Sequence, residues 1–397
     1  MDVIDRTLER LRAHLELDIA YIAELDGDDM IIRAHCAPDL PIDLPDQFTL
    51  PRKDGFCHHM AAGSIPNIVH DTSRNDITAN LPTRHDFNIQ SYIGIPLHRE
   101  DGTIYGSVCG IGHQPNHTLN ERDLRSVKLF AELVAEQIDK ELEDRKLTGD
   151  RIERIQSVIS GDTFEMWFQP IVALDGGALK EFEALCRFDT VPYRSPDTWF
   201  NEAALANMGV ELELAAVEKA LAALSVLPPD LSLTLNVSPA CLISEGLSDL
   251  LFDVPRDRLL LEVTEHSIVE NYEELVRHVD RYRAQGLRLA VDDAGAGYSS
   301  LSHIIQLAPD VIKLDMSLTR DIHTDPIRRS LAHALVHFAG ETGAVIVAEG
   351  IEVDQERACL ASLGVHFGQG YLISKPLPLD QARGFAECET RAAALAG

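Results

Sequence analysis

Between residues 164 and 372 the chain contains a series of short apolar, β-branched runs, and nearly every run ends in an acid, an amide or a lysine. In order these are Gln169 in FEMWFQPIV, Glu183 and Arg187 in KEFEALCRF, Asn236 in LSLTLNVSP, and Glu262 and Glu265 in RLLLEVTE. Asp292 and Asp293 follow in RLAVDDAG, Lys313 and Asp315 in VIKLD, Glu349 in AVIVAEG, and Gln369 in HFGQGYL. Glu183, Asn236, Glu262 and Asp292 offer only oxygen atoms, and hard donors of this kind without a His/Cys set select Mg²⁺ or Mn²⁺ over Zn²⁺. Asp293 and Glu349 complete a second cation site, with Asp292 shared between the two. Two ions about 4 Å apart can clamp a phosphoryl group, one activating water and both stabilising charge on the attacked phosphate.

A lysine among carboxylates stays protonated, so Lys313 is expected to position and acidify the attacking water rather than act as a general base. Arg187, four residues past Glu183, can hold a phosphate oxygen with a bidentate guanidinium. Gln169 and Gln369, on the first and last runs, suit a nucleobase edge or a ribose hydroxyl. Each residue alone has a plainer reading, since a single acid at a strand end is more often a helix cap and Lys313 could be a simple salt-bridge partner. Solvation does not account for the whole set, spread one or two per run. Glu265, three residues after Glu262, is expected to anchor the glycine-rich loop 294–300. Asp315, two residues past Lys313, is expected to serve the substrate or pair with Lys313.

Stretches of helical length and amphipathic pattern separate most of these runs, and alternating strand and helix implies a largely parallel sheet. Eight such units make a (β/α)8 barrel, in which residues at the carboxyl ends of the strands share one face. A barrel needs about 250 residues, so the chain of 397 residues has room for a second domain. Three segments are expected: residues 1–145 as an α+β domain, 146–160 as a linker helix, and 161–397 as the barrel. In the first, IAYIAEL, MIIRAHC, SYIGIPLHR and IYGSVCGIG read as strands. Asp101-Gly102 joins the last two in a tight antiparallel hairpin.

A helix follows from HTLNERDL onward, its start read as a capping box between Thr118 and Glu121. Leu124, Val127, Ala131, Val134, Ile138 and Leu142 form an apolar stripe, which either packs on the domain's own sheet or pairs two copies into a homodimer. After Thr148-Gly149 the pattern resumes with Ile152, Ile155 and Ile159, so a break or kink is expected there.

A formal net charge of −29 argues against partners that need a basic face, nucleic-acid polymers and anionic membranes. Seven cysteines without a C-x-x-C pair fit reduced thiols in a cytosol. No apolar run approaches the roughly 20 residues that span a bilayer, and a cytoplasmic location is expected. Cys57, His58 and His59 are adjacent and so do not converge on one ion; a packed Cys57 with surface histidines is expected.

The segments DGFCHHMAAGSIPNIVHD, SYIGIPL and YGSVCGIG resemble, in that order, the GAF family of small-ligand sensor domains over about residues 5–142. This implies an antiparallel sheet and a pocket for an unidentified small molecule. FQPIV, EFEALCRF, LNVSP, LEVTEH, VDDAGAGYSSL, IKLD, VAEGIE and GQGYLISKPLP resemble the EAL-domain phosphodiesterases over about residues 155–390. The resemblance implies a modified TIM barrel, two divalent ions (Mg²⁺ or Mn²⁺), and hydrolysis of the bacterial messenger cyclic di-GMP to linear pGpG.

By motif, Glu183, Asn236, Glu262 and Asp292 take the first ion's places, and Asp292, Asp293 and Glu349 the second's. The catalytic places fall to Glu183, Lys313 and Glu349. The substrate side falls to Gln169, Leu185, Arg187, Asp315 and Gln369, and the loop-anchoring place to Glu265. One departure stands out: where the family has Asp-Asp-Phe-Gly-Thr-Gly, this chain has Ala294 in the aromatic's place, and altered loop mobility is expected. No Gly-Gly-Asp-Glu-Phe cyclase signature occurs. Two rival readings are a receptor that holds cyclic di-GMP without cutting it and a Mg²⁺-dependent barrel lyase or isomerase with Lys313 as base.

Overall fold

The computed structural model describes residues 3–38, 48–99, 101–161, 163–263, 271–294 and 304–396; the side chains of Val3, Asp293 and residues 390–396 are outside the description. The chain divides into two compact units, Met1–Leu147 and Thr148–Gly397.

In the first unit, β1 (Ile19–Asp26), β2 (Asp29–Cys36), β3 (Thr49–Pro51), β4 (Ile68–Val69), β5 (Ser91–His98) and β6 (Ile104–Gly112) form one sheet in the order β3-β2-β1-β6-β5-β4. Every pairing in it is antiparallel. Side chains alternate across a strand, and β1 follows the rule. Ala20 and Ile22 join the core built with Leu8, Leu11, Val127, Ala131, Val134 and Ile138, whereas Ile19, Tyr21 and Ala23 face Phe56, Cys57, Met60, Tyr92 and Cys109. The helical stripe therefore packs on its own domain's sheet. On the opposite face lies an apolar cavity of about 60 Å³, lined by Tyr21, Met30, Ile32, Phe48, Phe56 and Phe87 among others.

The β5–β6 hairpin forms as expected, with Arg99 N–H donating to Thr103 O at 2.9 Å and Gly102 N–H to Arg99 O at 2.9 Å. The positive φ, 82°, falls on Gly102 and not on Asp101, whose carboxylate instead accepts from Thr103 N at 2.9 Å.

The following helix, Glu121–Ser160, corrects two expectations. Its cap is Asn120, which accepts from Arg122 N at 2.9 Å while Asp123 accepts from Asn120 N at 2.9 Å; Thr118 bonds Asn116 instead. Asparagine is a stronger cap than threonine and stands directly before the first helical residue. The break expected at Thr148-Gly149 is absent, because glycine costs a helix interior only about 1 kcal/mol relative to alanine, too little to end a long helix.

In the second unit β7 (Phe164–Ala173), β8 (Leu179–Phe188), β9 (Ser232–Val237), β10 (Leu259–Val263), β11 (Arg288–Ala294), β12 (Val311–Leu314), β13 (Val345–Ala348) and β14 (Phe367–Gly368) follow one another around a closed eight-stranded barrel. The strands from β8 to β14 run parallel, while β7 is antiparallel to both β8 and β14; β15 (Leu377–Pro378) adds to β7. The fold is thus a TIM barrel with its first strand reversed by the β7–β8 hairpin.

The period-2 rule then places the chemistry. Leu260, Ala290, Val311 and Val347 pack together with Ile171 inside the barrel, and Phe367 packs against them. Two residues further along these segments come Glu262, Asp292, Lys313, Glu349 and Gln369, so the polar residues share the inward side. The intervening Leu261, Leu289, Val291, Ile312, Leu314, Ile346 and Ala348 belong to the outer core beneath the helices.

Candidate active site

Lys313 is the hub of the inward-facing polar layer. It is only 1 % exposed, and its Nζ lies 2.6 Å from Glu349, 2.7 Å from Glu262, 3.3 Å from Glu183 and 3.8 Å from Asp292. Glu183 Oε1 accepts from Asn236 Nδ2 at 3.1 Å. Gln369 Nε2 donates to Glu183 Oε2 at 2.7 Å and to Glu349 Oε1 at 2.9 Å, tying together carboxylates from distant strands.

Four carboxylates around one ammonium leave excess negative charge in a dry setting. Burial would lower the Lys313 pKa, but the four carboxylates outweigh it and hold the value well above the ordinary range. Burial pushes Glu262 well up and Glu349 up to about 8, against the pull of Lys313. For Glu183 burial acts the same way, yet Lys313, Gln369 and Asn236 prevail and its pKa is lowered.

Three buried oxygens of this cluster, Glu262 Oε2, Asp292 Oδ1 and Gln369 Oε1, have no hydrogen-bond partner. A buried acceptor left unmade is costly, and a cation would satisfy the carboxylate oxygens of Glu262 and Asp292. Glu262, Asp292 and Glu349 can also present ligand oxygens within 4.8 Å of one another. An all-oxygen donor set of this kind fits a hard divalent ion.

Seven of the residues singled out in the sequence meet here: Glu183, Asn236, Glu262, Asp292, Lys313, Glu349 and Gln369. Gln169 pairs in register with Glu183 from the middle of the reversed β7, and its amide donates to Ser374 O at 3.1 Å. Leu185 is half-buried and pairs with Trp167. Arg187 donates to Cys186 O at 2.7 Å, with its guanidinium 5.8 Å from the Trp167 ring. Asp315 caps the helix Met316–Thr319 by accepting from Ser317 N at 2.8 Å. Glu265, the loop glycines Gly295 and Gly297, Tyr298 and the side chain of Asp293 lie outside the described residues. Ala294, expected in a loop, is instead the last residue of β11, pairs with Leu314 and is fully buried.

The sequence reading missed residues that hold the backbone carrying these groups. The Glu356 carboxylate accepts from the amides of Asp321, Glu352 and Val353 at 2.8, 2.9 and 3.2 Å, tying the segment after β12 to the loop after Glu349. Its signal was the acid three residues into the helix that starts at Asp354, a capping-box position. Thr319 Oγ1 donates to Glu349 O. Glu213 accepts from Ser238 N at 2.7 Å and so secures the chain just past Asn236; nothing in the local pattern marked it.

A barrel with an acidic, lysine-centred layer on its inward side offers a donor set suited to divalent cations. The family model described as EAL domain matches residues 152–376, and the chain belongs to that family. A GAF domain model matches residues 2–139. The chain is 32 % identical over 248 residues to the cyclic di-GMP phosphodiesterase RocR of Pseudomonas aeruginosa, covering 59 % of this chain and 63 % of that protein. It is 31 % identical over 239 residues to the cyclic di-GMP phosphodiesterase NbdA of the same organism, covering 57 % of this chain and 30 % of that one. The chain thus spans less than two thirds of the length of either relative.

Among solved structures, the EAL enzyme Bd1971 in its cAMP-bound form shares the fold over 94 % of this chain and 93 % of its own, with a TM-score of 0.58 and 20 % identity. An EAL domain protein from Listeria monocytogenes does so over 58 % of this chain and 96 % of its own, with a TM-score of 0.54 and 24 % identity.

Proposed function

We propose that the barrel hydrolyses cyclic di-GMP to linear pGpG with two divalent ions, Mg²⁺ or Mn²⁺. One observation carries the reading: Lys313, buried amid Glu183, Glu262, Asp292 and Glu349, beside carboxylate and amide oxygens that lack a partner. Membership of a family whose matched relatives are named as cyclic di-GMP phosphodiesterases supports it.

Glu183, Asn236, Glu262 and Asp292 would hold one ion, and Asp292, Asp293 and Glu349 the other. Bound there, the ions supply Lewis-acid polarisation of the phosphate and lower the pKa of water. Lys313 donates a hydrogen bond to the attacking water, and its fixed positive charge favours loss of the water's proton. Glu183 and Glu349 are held in place beside Lys313 by hydrogen bonds from Gln369. Water oxygen bonds to phosphorus as the P–O3′ bond breaks, and the proton the water loses ends on O3′, opening the ring to one 5′-phosphate and one 3′-hydroxyl. Arg187, Gln169, Leu185, Asp315 and Gln369 line the substrate side, and Glu265 anchors the neighbouring loop.

The division into 1–145, 146–160 and 161–397 also belongs to this reading, as does control of the barrel by a small molecule bound in the GAF domain. The cavity on the inner sheet face is its candidate site. A homodimer is proposed on Leu129 and Leu133, exposed on a different side of the long helix from its packed stripe. A cytoplasmic location is consistent with the absence, among the described residues, of any helix long and apolar enough to cross a membrane.

Purified chain incubated with Mn²⁺ and cyclic di-GMP, followed by nucleotide chromatography, separates the readings. Accumulating pGpG supports hydrolysis, binding without product makes the barrel a receptor, and neither outcome returns the lyase or isomerase reading.

A further inference from the structure

Outside the barrel, the first unit contains two thiols in contact. The short helix Phe56–Ala61 lays Cys57 on the inner face of the sheet, against Cys109 of β6. Their sulfurs are 3.1 Å apart, and both residues are fully buried. Tyr21 Oη lies 3.3 Å from Cys57 Sγ and Tyr92 Oη 3.2 Å from Cys109 Sγ, while Cys109 donates to Ser107 Oγ at 3.2 Å. Among the described residues no other two cysteine sulfurs are hydrogen-bonded to each other. Hydroxyl groups gathered around two sulfurs in an otherwise apolar layer are an unusual arrangement for inert core cysteines, which normally sit among hydrocarbon.

We propose that Cys57 and Cys109 are a reversible dithiol–disulfide site in the N-terminal domain, oxidised by peroxide. A disulfide needs sulfurs about 2.05 Å apart, so the pair closes with a shift of about 1 Å. Such a shift is within reach of a six-residue helix whose N-terminus has no side-chain cap.

The surroundings also assign the roles. Burial alone would raise the Cys57 pKa, but hydrogen bonds from Cys109, Ser107, Tyr21 and Tyr92 lower it to about 7, whereas burial holds Cys109 well above the ordinary thiol value. Elsewhere burial pushes Cys186 up to about 12 and Cys241 higher still. Thiolate is the nucleophile in such chemistry. Cys57 is therefore the attacking residue and Cys109 the resolving one. Tyr21 touches Cys57 and also lines the cavity of about 60 Å³, which gives a small neutral oxidant such as hydrogen peroxide a route inward.

The steps balance. Cys57 thiolate attacks one peroxide oxygen, the O–O bond breaks, and hydroxide leaves with a sulfenic acid formed on sulfur. Cys109 sulfur then attacks that sulfur, the S–O bond breaks, and water leaves with the disulfide formed. In sum two thiols are oxidised and one peroxide is reduced to two waters.

The test uses the full chain treated with hydrogen peroxide, then alkylated after unfolding and mapped by peptide mass. The expected result is a Cys57–Cys109 cross-linked peptide pair, lighter by two hydrogen atoms and lost on treatment with dithiothreitol. Cys109→Ser should stop at a sulfenic acid on Cys57 that dimedone traps, and Cys57→Ser should leave Cys109 unmodified. The proposal is overturned if both thiols alkylate fully at a dose that oxidises the exposed Cys388, if Cys57 passes to sulfinic acid without a cross-link, or if Cys109 is the residue trapped in Cys57→Ser. The wild-type map alone decides the main point should a variant fail to fold.

Discussion

Lys313 Nζ lies 2.6 Å from Glu349 Oε1, joining adjacent strands at the inner polar layer of the barrel. The register of β12 on β13 sets Lys313 beside Val347, so Glu349 reaches the lysine from two residues further along. This contact, with that to Glu262, partly neutralises the carboxylates gathered around Lys313.

Removing that ammonium is expected to be expensive. Lys313→Met leaves Glu183, Glu262, Asp292 and Glu349 without their shared counter-ion. Stripping one partner from a buried ion pair costs about 3–5 kcal/mol. Urea unfolding in EDTA should show a loss of that order, largely recovered by Mn²⁺. Equal stability of variant and wild type in EDTA would show that the lysine is not the neutralising group.

The family resemblance places Gln369 on the substrate side, but its amide nitrogen is hydrogen-bonded to Glu183 and Glu349. Gln369→Ala frees both carboxylates and should weaken metal binding by about 10–100-fold, the usual effect of losing a residue that orients metal ligands. Calorimetric titration with Mn²⁺ reads this directly. Unchanged affinity with a raised KM for the cyclic dinucleotide would return Gln369 to substrate contact alone.

The raised acids predict a pH dependence with a definite sign. Burial pushes Glu349 up to about 8 and raises Glu262 as well, both above the unfolded carboxylate value near 4.3. A group with a raised folded pKa contributes stability that is fully present below its unfolded value and lost as pH climbs through the folded one. The metal-free barrel should therefore melt at progressively lower temperature from about pH 5 to pH 8, and Mn²⁺ should stabilise it more at the upper end, because binding displaces those protons. A melting temperature in EDTA that rises over this range would have the wrong sign.

Ala294 is fully buried at the end of β11, within the outer core. Restoring the family's aromatic by Ala294→Phe thus overfills a packed site, with an expected cost of about 1–3 kcal/mol. Thermal unfolding should register it, accompanied by altered turnover or metal affinity. A variant as stable and as active as wild type would mean that the neighbouring chain already leaves room.

The barrel was legible because period-2 alternation is written into each strand: Leu260 and Glu262, Val311 and Lys313, and Val347 and Glu349 each fall on one face. Closure around eight strands followed from their number. The reversal of β7 was hidden, since Gln169 lies in a run that reads the same in either direction, and only pairing with β8 sets its sense. The Asn120 cap and the unbroken helix through Gly149 were lost to near-equal local energies. The Glu356 bonds to Glu352 and Val353 are local and follow from its capping-box position, whereas its bond to Asp321, 35 residues away, depends on loops brought together by the finished fold.

The most direct test of the central claim is hydrolysis of cyclic di-GMP by wild type and Glu183→Ala in parallel, each with Mn²⁺ and with EDTA, followed by chromatography of the nucleotides. Linear pGpG is expected from wild type with Mn²⁺ and from no other combination. Product from Glu183→Ala at the wild-type rate, or from either protein in EDTA, would contradict it, as would wild type with Mn²⁺ leaving the cyclic dinucleotide intact.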